Sequence, residues 1–241
     1  MTAFSPAVVR PDVAGVRVPF FLAHLMHCLI GIVVLRTVAR FCARARVRWA
    51  RGIPVDGPVL LAANHRSYFD PPFAAIWRRG AVCYFAREDL WRNPIFATLL
   101  NIFHGIPVNR DKPAASSTSG AIQRLRAGLP VLVFPEGTRT RDGRLGRLRA
   151  GPALMARRAR VPVIPVYLHR TEGFWPRGSA LPRISAPPME VRYGRPIVAP
   201  AHLPERLRDE YITRYLQRWM ERQEAEFLDR RRRLQPARPA R

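Results

Sequence analysis

Val59-Leu60-Leu61-Ala62-Ala63-Asn64-His65-Arg66-Ser67-Tyr68-Phe69-Asp70 joins an unbroken apolar run to a polar segment holding a histidine and an aspartate five positions apart. Pro58 to Ala63 reads as a short buried strand, because a continuous apolar run bounded by proline and a polar turn is the signature of a strand covered on both faces. Such a strand delivers Asn64 and His65 to its carboxyl end, where open α/β sheets place their ligands. Asp70, followed by Pro71 and Pro72 and then by Phe73 to Trp77, has the pattern of a helix N-cap with proline in the first turn. A carboxylate in that position can also hold an imidazole, so both roles stay open for Asp70.

Working outward, further strands and helices alternate. Ala81 to Ala86 reads as a strand, Trp91 to Phe103 as an apolar helix, and Gly105 to Asp111 as a brief strand whose exit presents Arg110. Pro113 to Gly120 is a polar loop leading into a helix from about Ser119 to Ala127. Pro130-Val131-Leu132-Val133-Phe134 is the clearest buried strand, and it runs directly into Pro135-Glu136-Gly137-Thr138-Arg139. Thr140 to Arg149, rich in arginine and glycine, is a surface loop before a helix from about Pro152 to Arg158. The two prolines in Val161 to Leu168 argue for a strand end or a sheet edge. Pro188 to Tyr193 alternates as a strand. Glu205 to Arg233 is a long helix with Leu207, Tyr211, Tyr215, Trp219 and Phe227 near helical spacing. The proline- and arginine-rich tail from Gln235 is expected to be disordered.

These elements predict an α/β fold with a mixed, largely parallel sheet flanked by helices. Three regions are expected: an N-terminal membrane-associated helical segment over 1–52, a catalytic domain over 53–200, and a C-terminal helix with a basic tail over 201–241. The 241 residues, 48% of them hydrophobic, suffice for one sizeable core.

No charged residue occurs from Val18 to Leu35, a segment that as a helix reaches about 27 Å, barely enough to span a bilayer. Pro19, Gly31, His24 and His27 speak against a routine span, and a helix lying in or re-entering the interface competes with it. Arg36, Arg40, Arg44, Arg46, Arg48 and Arg51 follow this segment, whereas only Arg10 and Arg17 precede it. That bias places the C-terminal side in the cytoplasm and suggests a juxtamembrane belt on anionic head groups. A core helix with a solvated basic face is the plainer alternative.

The formal net charge is +24, and Lys112 is the lone lysine among 41 basic residues. Such charge draws a protein to polyanions, either nucleic acid or an anionic membrane, and cannot choose between them. No nucleic-acid motif is visible, and binding to nucleic acid is not expected. Cys28, Cys42 and Cys83 have neither zinc-site nor disulfide spacing.

The chemistry centres on His65 and Asp70. A neutral imidazole can take a proton from a hydroxyl, and a carboxylate on its other nitrogen sets the tautomer and stabilises the imidazolium. A lone histidine and aspartate at this spacing also occur in structural roles. No serine or cysteine lies in a nucleophile-elbow context, and Ser67 reads equally well as a turn residue, which favours direct proton abstraction over a covalent intermediate. Arg110 and Arg139 each follow a predicted strand, and a guanidinium fork matches phosphate oxygens. Gly137 permits a tight turn whose N–H groups could hold an anion.

Asn64-His65-x4-Asp70, Gly105 to Arg110, Phe134 to Arg139 and Val161 to Pro165 occur in an order and at intervals that resemble the four blocks of the glycerolphosphate acyltransferase family. Within it the likeness is greatest to bacterial members that acylate 1-acylglycerol-3-phosphate, and it covers about residues 55 to 200. The resemblance implies that His65 is a general base oriented by Asp70, with Asn64 and Ser67 in support. It implies that Arg110, Glu136, Gly137, Thr138 and Arg139 bind the acceptor phosphate. It further implies an acyl group moved from acyl-CoA or acyl-carrier protein to a free hydroxyl of 1-acylglycerol-3-phosphate, giving phosphatidate. Another lysolipid, a lyso-ornithine lipid or a lysophospholipid in remodelling, is the alternative acceptor, and a non-catalytic polyanion-binding protein is the remote alternative that the charge offers. No metal and no cofactor beyond the acyl donor is expected, and membrane lipids are the expected partners, at the cytoplasmic face of the inner membrane. Asn109 stands where the family more often has an aromatic or acidic residue, and arginines such as Arg147 or Arg149 replace the usual lysines after the third block.

Overall fold

In a computed structural model the described residues are 25–26, 29, 33–34, 36–42, 44–54, 56–75, 77–78, 81–108, 115–140, 144–175, 179, 181, 183 and 188–234. Most of the apolar stretch 18–35, Arg110 and the tail from Gln235 lie outside them. Among the described residues no helix is long and apolar enough to cross a membrane.

Seven strands form one sheet: β1 (Arg46–Trp49), β2 (Leu60–Ala63), β3 (Cys83–Arg87), β4 (Gly105–Val108), β5 (Val131–Val133), β6 (Val163–His169) and β7 (Glu190–Tyr193). Their order is β1-β7-β6-β2-β5-β3-β4, and every neighbouring pair is parallel except β6 and β7. The connecting helices are α1 (Asp70–Ala75), α2 (Pro94–Ile102), α3 (Ala115–Arg126), α4 (Gly151–Ala159) and α5 (Thr171–Phe174), with α6 (Glu205–Leu234) closing the described chain. The expected α/β sheet flanked by helices is thus present.

Right-handed crossovers decide which face each helix covers. The chain steps outward from β2 to β3 and β4 through α1 and α2, then back through α3 and α4 to β5 and β6, so the two helix pairs lie on opposite faces. Leu60, Ala62, Val131 and Val133 pack with Ala121 and Leu125 of α3, Ala156 of α4, and Ile212, Leu216 and Met220 of α6. Leu61, Ala63, Leu132 and Ile164 pack with Phe73 and Ala74 of α1, Phe174 of α5, and Ala39. Tyr84, which packs on the α1 side, meets Phe103 just after α2 with ring centroids 6.4 Å apart, placing α2 beside α1. All four residues of β2 are buried, as a central parallel strand covered on both faces requires.

Four expectations need correction. First, β6 is an interior strand despite its prolines. Pro165 pairs with Ala62 on β2, and on the β7 side it faces Gly194, just beyond the strand end, whose N–H donates to the Pro165 carbonyl at 2.8 Å. The N–H that proline lacks is therefore missed only where β7 has already ended. Gly194 must be glycine, because a Cβ there would stand 2.6 Å from both Pro165 and Trp219.

Second, β1 lies within the stretch assigned to the membrane segment, yet it forms a sheet edge, so the sheet domain begins before residue 53. Arg46 and Arg48 alternate with Val47, which packs on the core, and Trp49 stacks on Tyr193 at 3.9 Å. Third, α3 begins at Ala115, four residues before expected. Fourth, the buried stripe of α6 is Ile212, Leu216 and Met220, while Leu207, Tyr211 and Tyr215 are exposed. Tyr211 and Tyr215 match the helical period but sit about 100° around the helix from the apolar contact, whereas Trp219 packs against the core and Phe227 on His169.

Candidate active site

At the carboxyl ends of the adjacent strands β2 and β5 the chain leaves in opposite directions across the sheet, toward β3 from β2 and toward β6 from β5, and the polar half of the opening stretch begins there. Asn64 extends the β2–β6 ladder with its side chain. Its Nδ2 donates to the Leu168 carbonyl at 3.0 Å and its Oδ1 accepts from the Leu168 N–H at 2.7 Å. This buried pair holds the backbone as it leaves the strand and turns toward α1.

His65 Nδ1 lies 2.8 Å from Asp70 Oδ2. An ionised carboxylate only accepts, so Nδ1 carries the proton and Nε2 presents a lone pair. Phe134, at the end of β5, stacks on the imidazole at 4.0 Å and 17°, which confines the ring to the plane that the carboxylate selects.

Asp70 is fully buried, and the same Oδ2 accepts the N–H groups of Arg66 at 2.5 Å and Ser67 at 2.6 Å. It stands at the head of α1, but its side chain turns back to the loop instead of capping N–H groups of its own helix. The short loop from 65 to 70 therefore wraps around a single carboxylate oxygen. Ser67 is a turn residue, its hydroxyl donating to the Trp175 carbonyl at 2.7 Å and accepting from Phe69 N–H at 3.1 Å.

The second wall of the site is the turn after β5, the strand adjacent to β2. Glu136, expected at the phosphate, instead bridges backbone. Its Oε1 accepts from His65 N–H at 2.8 Å and its Oε2 from Gly146 N–H at 3.0 Å. Both oxygens are engaged, and a carboxylate repels phosphate, so Glu136 positions the His65 loop. Burial pushes its carboxyl pKa up, against the opposing pull of the Gly146 and His65 N–H groups. Thr140 N–H donates to the His65 carbonyl at 3.0 Å, so the two loops are tied on both sides of the histidine.

Gly137 has φ +77°, and a Cβ there would press on the Arg149 guanidinium at 3.1 Å. Thr138 is exposed beside it. Arg139 lies over the ring of Tyr68 in the first loop, its Cζ 3.7 Å from the ring centroid. Its Nη1 is buried and has no partner among the described residues, leaving a donor available to an incoming anion.

Sequence reasoning singled out His65, Asp70, Asn64, Ser67, Glu136, Gly137, Thr138 and Arg139, and folding gathers them at the ends of β2 and β5. Arg110 lies outside the described residues, and β4, the strand two residues before it, is the sheet edge beyond β5 and β3. At the usual strand spacing that edge is about 14 Å from β2. Phe134 and Tyr68 were missed as site residues. Their motif neighbours carried the only signal, since aromatic stacking across two loops leaves no spacing pattern in either.

A histidine oriented by a buried carboxylate at the carboxyl end of a parallel sheet can take a proton from a hydroxyl, and the open guanidinium donor on the adjoining loop can hold an anion. The Acyltransferase family model matches residues 44–169, more than half of the chain, and the protein belongs to this family. It is 31% identical over 164 residues to the 1-acyl-sn-glycerol-3-phosphate acyltransferase of Limnanthes douglasii, covering 63% of this chain and 57% of that protein. It is 30% identical over 153 residues to the enzyme of that name from Pseudomonas aeruginosa, covering 62% and 58% respectively. The aligned part thus spans less than two thirds of those relatives. In fold it is similar to the crystal structure of the 1-acyl-sn-glycerophosphate acyltransferase PlsC from Thermotoga maritima, with TM-score 0.60, 24% identity and 80% of each chain covered.

Proposed function

We propose that this protein transfers a fatty acyl group from acyl-CoA or acyl-carrier protein to the free hydroxyl of 1-acylglycerol-3-phosphate, giving phosphatidate. The observation that carries the reading is the His65–Asp70 contact at 2.8 Å, which leaves Nε2 as the basic nitrogen.

His65 Nε2 takes the acceptor's hydroxyl proton as its oxygen attacks the thioester carbonyl. Asp70 stabilises the imidazolium that results. Collapse of the tetrahedral intermediate breaks the carbon–sulfur bond, and the imidazolium returns its proton to the departing thiolate, so acid and base balance in one cycle. Arg139, with Arg110 as its partner, holds the acceptor phosphate and keeps the hydroxyl within reach of the base. Because acceptor and product are lipids, the protein works on a membrane. The segment 18–35 and the arginines after it attach it to the cytoplasmic face of the inner membrane, where acyl donors are made.

The test is acyl transfer by purified protein to lysophosphatidate against a panel of other lysolipids. Lysophosphatidate should be the preferred acceptor, and His65→Ala should lower turnover by about a thousandfold or more while the protein stays folded and membrane-associated. Normal turnover by His65→Ala would sink the mechanism, and preference for another lysolipid would reassign the acceptor.

A further inference from the structure

One helix presents an apolar surface that no other described element covers. The sequence of α2, Pro-Ile-Phe-Ala-Thr-Leu-Leu-Asn-Ile, carries no charge. Only Ala97 and Asn101 are buried, the latter accepting from Trp91 Nε1 at 3.0 Å. Ile95 is 77% exposed, Phe96 50% and Leu99 43%, and Leu90 just before the helix is 37% exposed. Residues three and four positions apart share a side of a helix, so Leu99 adjoins both Phe96 and Ile95 and the three form one patch. Isolated exposed apolar residues are ordinary, but a contiguous group on a charge-free helix marks a contact surface.

Its place in the fold narrows the choice of partner. The first turn of α2 follows the carboxyl end of β3, so Ile95 and Phe96 stand at the end of the sheet that carries His65. The helix covers the same sheet face as α1. On that face too lies Val38–Cys42, anchored by the buried Ala39 while Phe41 is 76% exposed. Arg40 and Arg92, both exposed, flank these apolar residues. Bulky apolar side chains beside exposed arginines complement an anionic lipid surface, with the side chains below the head groups and the guanidinium groups among them. A bilayer also meets two separate apolar sites at once without the shape complementarity that a protein partner needs.

We infer that the Ile95–Phe96–Leu99 face of α2 is a membrane-seating surface, dipping into an anionic bilayer so that the His65 end of the sheet meets its lipid acceptor at the interface. The inference rests on the proposed use of a bilayer-resident acceptor. It assigns to α2 a contact separate from the segment 18–35, with orientation as its consequence.

The test compares wild type with the triple variant Ile95→Ser/Phe96→Ser/Leu99→Ser on two acceptors. One is long-chain lysophosphatidate in phosphatidylethanolamine–phosphatidylglycerol vesicles, and the other a short-chain lysophosphatidate kept below its micellar concentration. Turnover of the vesicle-borne acceptor should fall about tenfold while turnover of the soluble one is unchanged. Phe96→Leu should behave as wild type. If the triple variant loses its thermal transition, Phe96→Ser alone is measured in the same way. Equal rates on both acceptors overturn the inference. So does an equal loss on both, which makes the patch part of the acceptor's path. A lipid-free dimer that the variant dissolves overturns it in favour of a second copy. Should wild type turn over neither acceptor, the acyltransfer reading fails, and vesicle flotation decides the surface separately. A vesicle partition that falls about tenfold in the variant upholds it, and an unchanged partition overturns it.

Discussion

At the residue scale the site is a problem of holding one imidazole still. Three donors converge on Asp70 Oδ2, two of them backbone N–H groups of the loop that bears His65. The carboxylate thus shapes the loop and orients the ring with the same atom. Arg139 is held differently, by the face of Tyr68, and its buried Nη1 donor has no partner among the described residues. Removing that donor should matter only for an acceptor with an anion to offer it. Arg139→Ala is expected to lower kcat/KM for lysophosphatidate by about 10- to 100-fold, the worth of a charge-assisted hydrogen bond. The rate with monoacylglycerol, which lacks the phosphate, should be unchanged. Equal losses on the two acceptors would remove Arg139 from phosphate binding.

At the scale of elements, the long C-terminal helix reaches back to the first motif. Glu224 of α6 accepts from Arg66 Nη2 at 2.6 Å and from Leu145 N–H at 3.1 Å. Arg66 also donates to the Tyr167 hydroxyl at 2.7 Å. Since Arg66 N–H is one of the donors on Asp70, α6 braces the catalytic loop through one side chain. Nearby, Gln217 accepts from Leu148 N–H at 2.9 Å, so the 144–149 loop that holds Glu136 is tied to α6 as well. Losing one member of a mostly buried ion pair leaves the other charge uncompensated. Glu224→Gln should cost about 2 kcal/mol in guanidinium unfolding, less than a fully buried pair because Glu224 is partly solvated. Glu210→Gln, which breaks only the exposed pair with Arg214, should cost under about 0.5 kcal/mol.

At the scale of the whole molecule, stability should carry the mark of one buried histidine. His169 ends β6 between the rings of Tyr167 and Phe227, at 4.5 and 4.6 Å. Burial, reinforced by Arg192, Arg66, Arg230 and Arg170, lowers its pKa from 6.5 to about 3. A depressed folded-state value means that the unfolded chain binds the proton first as pH falls. The resulting stability is complete above pH 6.5 and is lost between 6.5 and 3, at up to about 1.4 kcal/mol per pH unit. His169→Phe, which fits between two rings, should flatten this part of the stability profile measured by chemical denaturation at stepped pH. An unchanged slope would show that other groups set it.

Much of this architecture is legible in the chain. The unbroken run into Asn64 specifies a covered strand, the Pro130 to Phe134 run another, and the alternation of strands with helices a parallel α/β sheet, because periodicity and burial are local properties. The His65-x4-Asp70 and Glu136 to Arg139 motifs likewise point to the site, since residue type and spacing carry their chemistry. Long-range pairing is different. That β2 lies beside β5, that Glu136 supports His65 N–H instead of phosphate, that Pro165 sits inside the sheet, that β1 belongs to it, and that Glu224 reaches Arg66 across 158 positions are facts of register and crossover. Each depends on which distant segment fills a neighbour's open hydrogen bonds and apolar face, a choice made by the packing of the whole chain and recorded in no single stretch of it.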